Sequence, residues 1–169
     1  MSGNVQGIFI APVASEPMQA IQSAKAIAGV GLENDRYAQG SGFYSSIPTT
    51  PGAREITLIA REAIDAAAEA AGVTFEPVES RRNIVTLGVD LKSLFGKRFT
   101  IGAVVCEGVR DCPPCVHLEE LTGKRLMPHL VWSGGLRARI VEGGVISVGD
   151  EITETGEALG TVHRKEATS

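Results

Sequence analysis

The chain has 169 residues, 43% of them apolar and 21% charged, and 16 basic against 20 acidic side chains leave a net charge of −4. That is enough for one globular domain without a disulfide scaffold, and the charge balance gives no general field for a nucleic-acid duplex or an anionic membrane, although a local basic pocket is compatible with it. Residues 1–7 lack the basic region and apolar run of a signal peptide, and no later stretch approaches the roughly 20 apolar residues of a membrane span. Three cysteines suit a reducing compartment, so the expectation is a cytoplasmic protein.

Residues 5–13, rich in Val, Ile and Phe and closed by Pro12, read as the opening strand. Residues 18–31 fit a helix or a strand entering a glycine turn, and the pattern does not choose between them. Gly29 to Tyr37 nearly spell a dinucleotide fingerprint. Asn34 replaces its third glycine, however, and the chain runs on into Gly40-Ser41-Gly42, Pro48 and Pro51, which is loop composition rather than the start of a helix. Asp35 and Arg36 there either tie the turn together or line a pocket. Residues 55–59 alternate as a strand and pass into a helix over 61–71. Its stripe of Ile64, Ala67, Ala68 and Ala71 is small enough for close approach to a sheet, and Gly72 stands ready to end it.

Residues 81–88 read as a strand with two arginines at its mouth. Alternation puts Arg81 with Asn83 and Arg82 with Ile84, so at most one arginine of the pair is expected to enter an interior. Residues 90–96 suit a 3₁₀ segment, and 99–106 one more strand, with Cys106 as a small core residue. Residues 116–122 suit a two-turn helix closed by Gly123. Residues 134–141 and 145–148 flank Glu142-Gly143-Gly144, a hairpin signal, with Arg137 and Arg139 on one face and Leu136, Ala138 and Ile140 on the other. Short strands dominate and helices are few, which predicts a mainly β fold, a barrel with peripheral helices, over a doubly wound sheet. One domain is expected over residues 1–155, with 156–169 as a flexible polar tail.

The stretch from Arg110 to Glu120 concentrates the chemistry. Pro113 and Pro114 fix φ and delay helix formation until about Cys115, which puts a thiol at a helix N-terminus, where amide N–H groups favour thiolate. Glu119 and Glu120 partly offset that benefit. Four readings stand: a redox dithiol of Cys112 and Cys115, a zinc set of Cys112, Cys115, His117 and His129, an inert buried pair, or one activated cysteine serving as metal ligand or sulfur carrier amid anion-binding arginines.

Several segments in order, namely Gly31-Leu32-Glu33-Asn34-Asp35-Arg36, Arg81-Arg82-Asn83-Ile84 with Gly88, residues 94–102, Pro114-Cys115, and Gly134-Gly135-Leu136-Arg137-Ala138 leading to Gly143 and Gly149-Asp150, make residues 29–150 resemble the MOSC family, the domain found at the carboxyl end of molybdenum cofactor sulfurases and as stand-alone bacterial proteins. The resemblance implies a MOSC-type β-barrel, the molybdenum cofactor (molybdopterin), and a hallmark cysteine after proline, which is Cys115, as metal ligand and catalytic residue. By position it implies Arg81, Asn83 and Arg137, with Asp35 and Arg36, as cofactor contacts. Where relatives often carry glycine, Asn34 tolerates the same positive φ. The implied activity is reduction of N-hydroxylated bases or related small molecules with external electron-transfer proteins. The alternatives are a sulfur carrier charged with a Cys115 persulfide by a sulfur donor, and a non-catalytic binding module.

Overall fold

Apolar residues run consecutively in several strands, as in Ile8-Phe9-Ile10, Leu58-Ile59 and Ile84-Val85, the pattern of strands covered on both faces. The structure, a computed structural model, describes residues 2–114, 116–131 and 133–157. Its strands are β1 (Ser2–Ile10), β2 (Gln19–Ile21), β3 (Ser23–Ile27), β4 (Gly31–Leu32), β5 (Ile56–Ala60), β6 (Ile84–Leu87), β7 (Lys97–Ile101), β8 (Val104–Asp111), β9 (Leu136–Glu142), β10 (Gly144–Ser147) and β11 (Glu151–Glu157), and its helices are α1 (Arg61–Ala71), α2 (Val116–Thr122) and α3 (Met127–Leu130). Seven strands in the order β11-β7-β8-β9-β5-β6-β1 close into a barrel through pairing of β1 with β11. The fold is mainly β, as expected. β2 extends from β1, and β10-β3-β4 form a small second sheet.

Period-two alternation sorts the apolar residues between two cores. Val5, Ile8, Ile56, Leu58, Ile84, Phe99, Ile101, Ala138 and Ile152 fill the barrel interior. Phe9, Ile59 and Val85 point outward, where Ile64 and Ala67 of α1, Leu118 of α2 and Leu130 of α3 cover them. The small stripe of α1 packs on the sheet as its alanines predict, and Gly72 closes the helix at φ 67°. This helix is the crossover between β5 and β6, which pair in parallel, whereas the barrel's other pairings are antiparallel.

Residues 18–31, open between helix and strand, form short strands, because Ala24 and Ala26 alternate inward with Ser23 and Lys25 outward and pair with β10. Three local expectations change. The run 99–106 is two strands joined at Gly102 (φ 58°), so the apolar pattern continues through a tight turn. The predicted hairpin at 142–144 does not pair on itself: Gly143 packs on the Ala26 backbone, where a Cβ would lie 2.6 Å from its carbonyl oxygen, and β10 joins β3 instead of β9. The strand predicted from residue 81 begins at Ile84, since Arg81 ends a 3₁₀ turn over Pro77–Ser80 in the left-handed conformation, φ 64°. Alternation therefore does not govern Arg81 and Arg82. β11 continues to Glu157, and residues 158–169 of the expected tail lie outside the described residues. Among the described residues no helix is long and apolar enough to cross a membrane.

Candidate functional site

The outer face of the barrel supplies the floor of a cavity of about 360 Å³. Thr57 of β5, Arg137 of β9 and Arg110 of β8 lie in one row across the ladder, on the opposite face from Ile56, Leu58, Leu136 and Ala138. Asn83 prolongs the row. Its side-chain oxygen accepts from the Thr57 amide (3.1 Å) and hydroxyl (3.2 Å), while its Nδ2 donates to the Phe9 carbonyl (3.1 Å). One buried amide thus holds β1 and β5 at the entry to β6. The long connection before β5 and the stretch after β8 wall the cavity through Tyr37, Phe43, Tyr44, Pro113, Pro114 and His117.

Six arginines, Arg36, Arg54, Arg81, Arg82, Arg110 and Arg137, line this cavity, and no aspartate or glutamate does among the described residues. Five of them are braced by backbone carbonyls: Arg36 at Arg81 (3.5 Å), Arg54 at Ser45 (3.4 Å), Arg81 at Glu16, Arg82 at Gly134 (3.0 Å) and Cys112 (3.1 Å), and Arg137 at Ala53 (3.2 Å). A carbonyl steadies a guanidinium without neutralising it, so the charge stays available to a ligand, except at Arg36, which also meets the Asp35 carboxylate at 3.1 Å. Burial, together with the neighbouring Arg36, pushes Arg81 down to about 10, still charged at neutral pH. An anion beside it relieves that cost.

Both arginines of the Arg81-Arg82 pair reach the cavity, where sequence alternation allowed one. Asn34 takes the positive φ anticipated for it, 70°. Arg36 is 6% exposed and lines the cavity. Asp35, 1% exposed, stands behind it, accepting from the Ala11 amide (3.0 Å), the Tyr37 amide (3.3 Å) and Arg36 itself (3.1 Å). The two readings of this turn are therefore both realised, Asp35 as its tie and Arg36 as its pocket face. Arg54 and the cavity's aromatic residues were not singled out in the sequence, because single arginines and aromatics in loops carry no periodic signal, and Arg110 was legible only as the first residue of the chemical stretch, without a role of its own.

Cys115 lies outside the described residues, but Pro114 and His117 on either side of it line the cavity. Cys112 is buried, is a free thiol and borders the same space. The His117 ring stacks on Phe43 (centroids 3.7 Å apart, 9° between planes), with its Nε2 3.1 Å from the Ser15 hydroxyl. Its Nδ1 is buried without a hydrogen bond, 3.8 Å from the Glu120 carboxylate. Among the described residues no three of His, Cys, Asp and Glu gather as a metal site, so Cys112, His117 and His129 do not form the zinc cluster considered from sequence.

The family model for the MOSC domain matches residues 36–153. The chain belongs to the MOSC domain family. MOSC domains are associated with the molybdenum cofactor or with sulfur-related functions. Among solved structures, this MOSC domain is similar to the YuaD protein from Bacillus subtilis at TM-score 0.78 and 18% identity, over 94% of this chain and 98% of that one. It is also similar to YiiM from Geobacillus stearothermophilus (TM-score 0.66, 14% identity, 90% and 75% covered) and YiiM from Escherichia coli (0.66, 15%, 94% and 71%). At these identities the likeness is one of fold. No curated protein matches.

Proposed function

We propose that this MOSC domain binds the molybdenum cofactor in the arginine-lined cavity and acts in the cytoplasm as an oxidoreductase on N-hydroxylated bases or related compounds. The observation that carries the proposal is a cavity lined by six arginines and no carboxylate among the described residues, bordered by residues on both sides of Cys115. Arg81 and Arg137 would meet the cofactor's phosphate, Arg36 would add charge from a rigid base on Asp35, and Asn83 would hold the floor. The cofactor supplies two-electron chemistry at molybdenum when bound, with the Cys115 thiolate as a soft ligand from the protein. Reduction of an N-hydroxyl group takes up two electrons and two protons and releases water, and the electrons come from separate donor proteins.

Cys112 supports a second reading. A buried thiol on the same cavity, three residues before Cys115, suits a sulfur carrier in which a Cys115 persulfide is handed to an acceptor. Elemental analysis and pterin fluorescence on protein from a cofactor-competent host separate the two. Molybdenum and pterin that are retained by the wild type and lost in Cys115→Ser support cofactor binding. Metal-free protein with cyanide-releasable sulfur supports the carrier, and neither signal leaves a binding module. Arg81→Ala is expected to lower cofactor retention without unfolding, and unchanged retention would remove Arg81 from the site.

A further inference from the structure

Arg110 differs from its five companions: among the described residues its side chain has no hydrogen-bond or ion-pair partner, and the residue is exposed. Its placement is built into the ladder. Glu107 stands opposite Arg139 and Gly108 opposite Ala138, so a regular register would next set Val109 against Arg137. A bulge between Gly108 and Arg110 puts Arg110 there instead. Like charges facing each other across antiparallel strands repel. Two residues further along β9, the same two strands show the opposite arrangement, with Arg139 on the Glu107 carboxylate at 2.7 Å and Arg98 joining it at 3.0 Å. The chain thus pairs its arginines with acid in one row and leaves two facing each other in the row that floors the cavity. An entering anion is what stabilises such a pair.

Phe43 lines the same cavity, half exposed, with one ring face stacked on His117 and Tyr44 edge-on at 4.7 Å, so its ring is braced where the cavity meets solvent. We propose that the mouth of the cavity receives a substrate that is planar, aromatic and acidic, its carboxylate or phosphate on Arg110 opposite Arg137 and its ring against Phe43. Arg110 is then a specificity residue, reading charge on the substrate and not on the cofactor. This rests on the cofactor reading only in leaving Arg36, Arg81 and Arg137 to the cofactor and Arg110 to the substrate.

Calorimetric titration of the purified protein with two matched pairs, nicotinate against nicotinamide and AMP against adenosine, tests it. At least one acid is expected to bind about tenfold more tightly than its neutral partner, the scale of one charge-assisted hydrogen bond. The pair that responds tells carboxylate from phosphate. Arg110→Gln should abolish the preference and Arg110→Lys restore part of it, with molybdenum and pterin content unchanged in both. Phe43→Ala should weaken all four probes alike and keep the preference. Equal binding of acid and neutral probes, a preference that survives Arg110→Gln, or loss of cofactor in that variant each overturns the proposal. A preference for the acid in protein that carries neither metal nor pterin under cofactor-competent expression leaves the subsite standing and removes the cofactor reading.

Discussion

Whether an arginine or a cysteine does chemistry here depends on what it touches. Arg98 and Arg139 are spent on Glu107, whereas Arg54, Arg82 and Arg137 in the cavity rest on carbonyl oxygens and keep their charge. The cysteines divide in the same way. Cys106 points into the barrel interior, where burial pushes its thiol up to about 12, so it stays protonated at neutral pH. Iodoacetamide at pH 8 is therefore expected to leave Cys106 unmodified in the folded protein and to label it after denaturation, as read by peptide mass spectrometry. Labelling of Cys106 in the native state would mean that the barrel opens on the time scale of the reaction. Arg81, half-buried and facing Arg36, contributes little to stability, and Arg81→Ala is expected to shift unfolding free energy by less than about 1 kcal/mol.

At the scale of elements, single polar side chains tie the strands that carry the site. Asn83→Ala leaves the buried Phe9 carbonyl and the Thr57 amide without their partners, and is expected to cost about 2–3 kcal/mol in urea denaturation, with Asn83→Asp failing to restore the bond to Phe9. Removal of Glu107 takes the shared carboxylate from two guanidinium groups across β7, β8 and β9, and Glu107→Ala is expected to cost about 1–2 kcal/mol, since Arg98 and Arg139 keep access to water. The 3₁₀ turn before Arg81 is joined to the segment after α2 by Glu79 and Lys124 at 2.7 Å. Burial raises the Glu79 pKa, but the Glu76 amide and Lys124 outweigh it and hold the carboxyl below the ordinary glutamate range. The depressed pKa means that this contribution is fully present above the ordinary carboxylate value and is lost as pH falls through the lower folded value. Melting temperatures measured between pH 3 and 6 should therefore converge for wild type and Glu79→Gln at the acid end and separate above it, with the wild type higher.

Over the whole molecule, a net charge of −4 coexists with a cavity of concentrated positive charge. Such a site draws anions by a local field, and screening over about 8 Å at physiological ionic strength weakens it. Phosphate affinity measured by calorimetry is expected to fall several-fold between 20 and 300 mM sodium chloride. A salt-independent affinity would mean that the arginines do not carry the binding. Barrel closure makes the convergence possible, since β1 and β11, from opposite ends of the chain, seal the cylinder on which the row Asn83, Thr57, Arg137 and Arg110 is laid out.

Much of this was legible in the residues. Helix α1 and its glycine stop, the inward and outward faces of β9, the β-rich class, the left-handed tolerance of Asn34 and the family itself all follow from local periodicity, turn chemistry and ordered motifs, which are properties of neighbouring residues. The strand at residues 81–83, the split of residues 99–106 and the partner of β10 were not legible, because a 3₁₀ turn, a tight two-residue connection and a choice between two sheets depend on contacts far along the chain. Residue type and order were enough to mark which side chains are able to bind an anion or a soft metal, Cys115 among them. That six arginines scattered from residue 36 to residue 137 share one cavity, and that a single bulged residue turns Arg110 onto Arg137, came only from the folded chain, since convergence and register arise when the barrel closes and not in any local stretch.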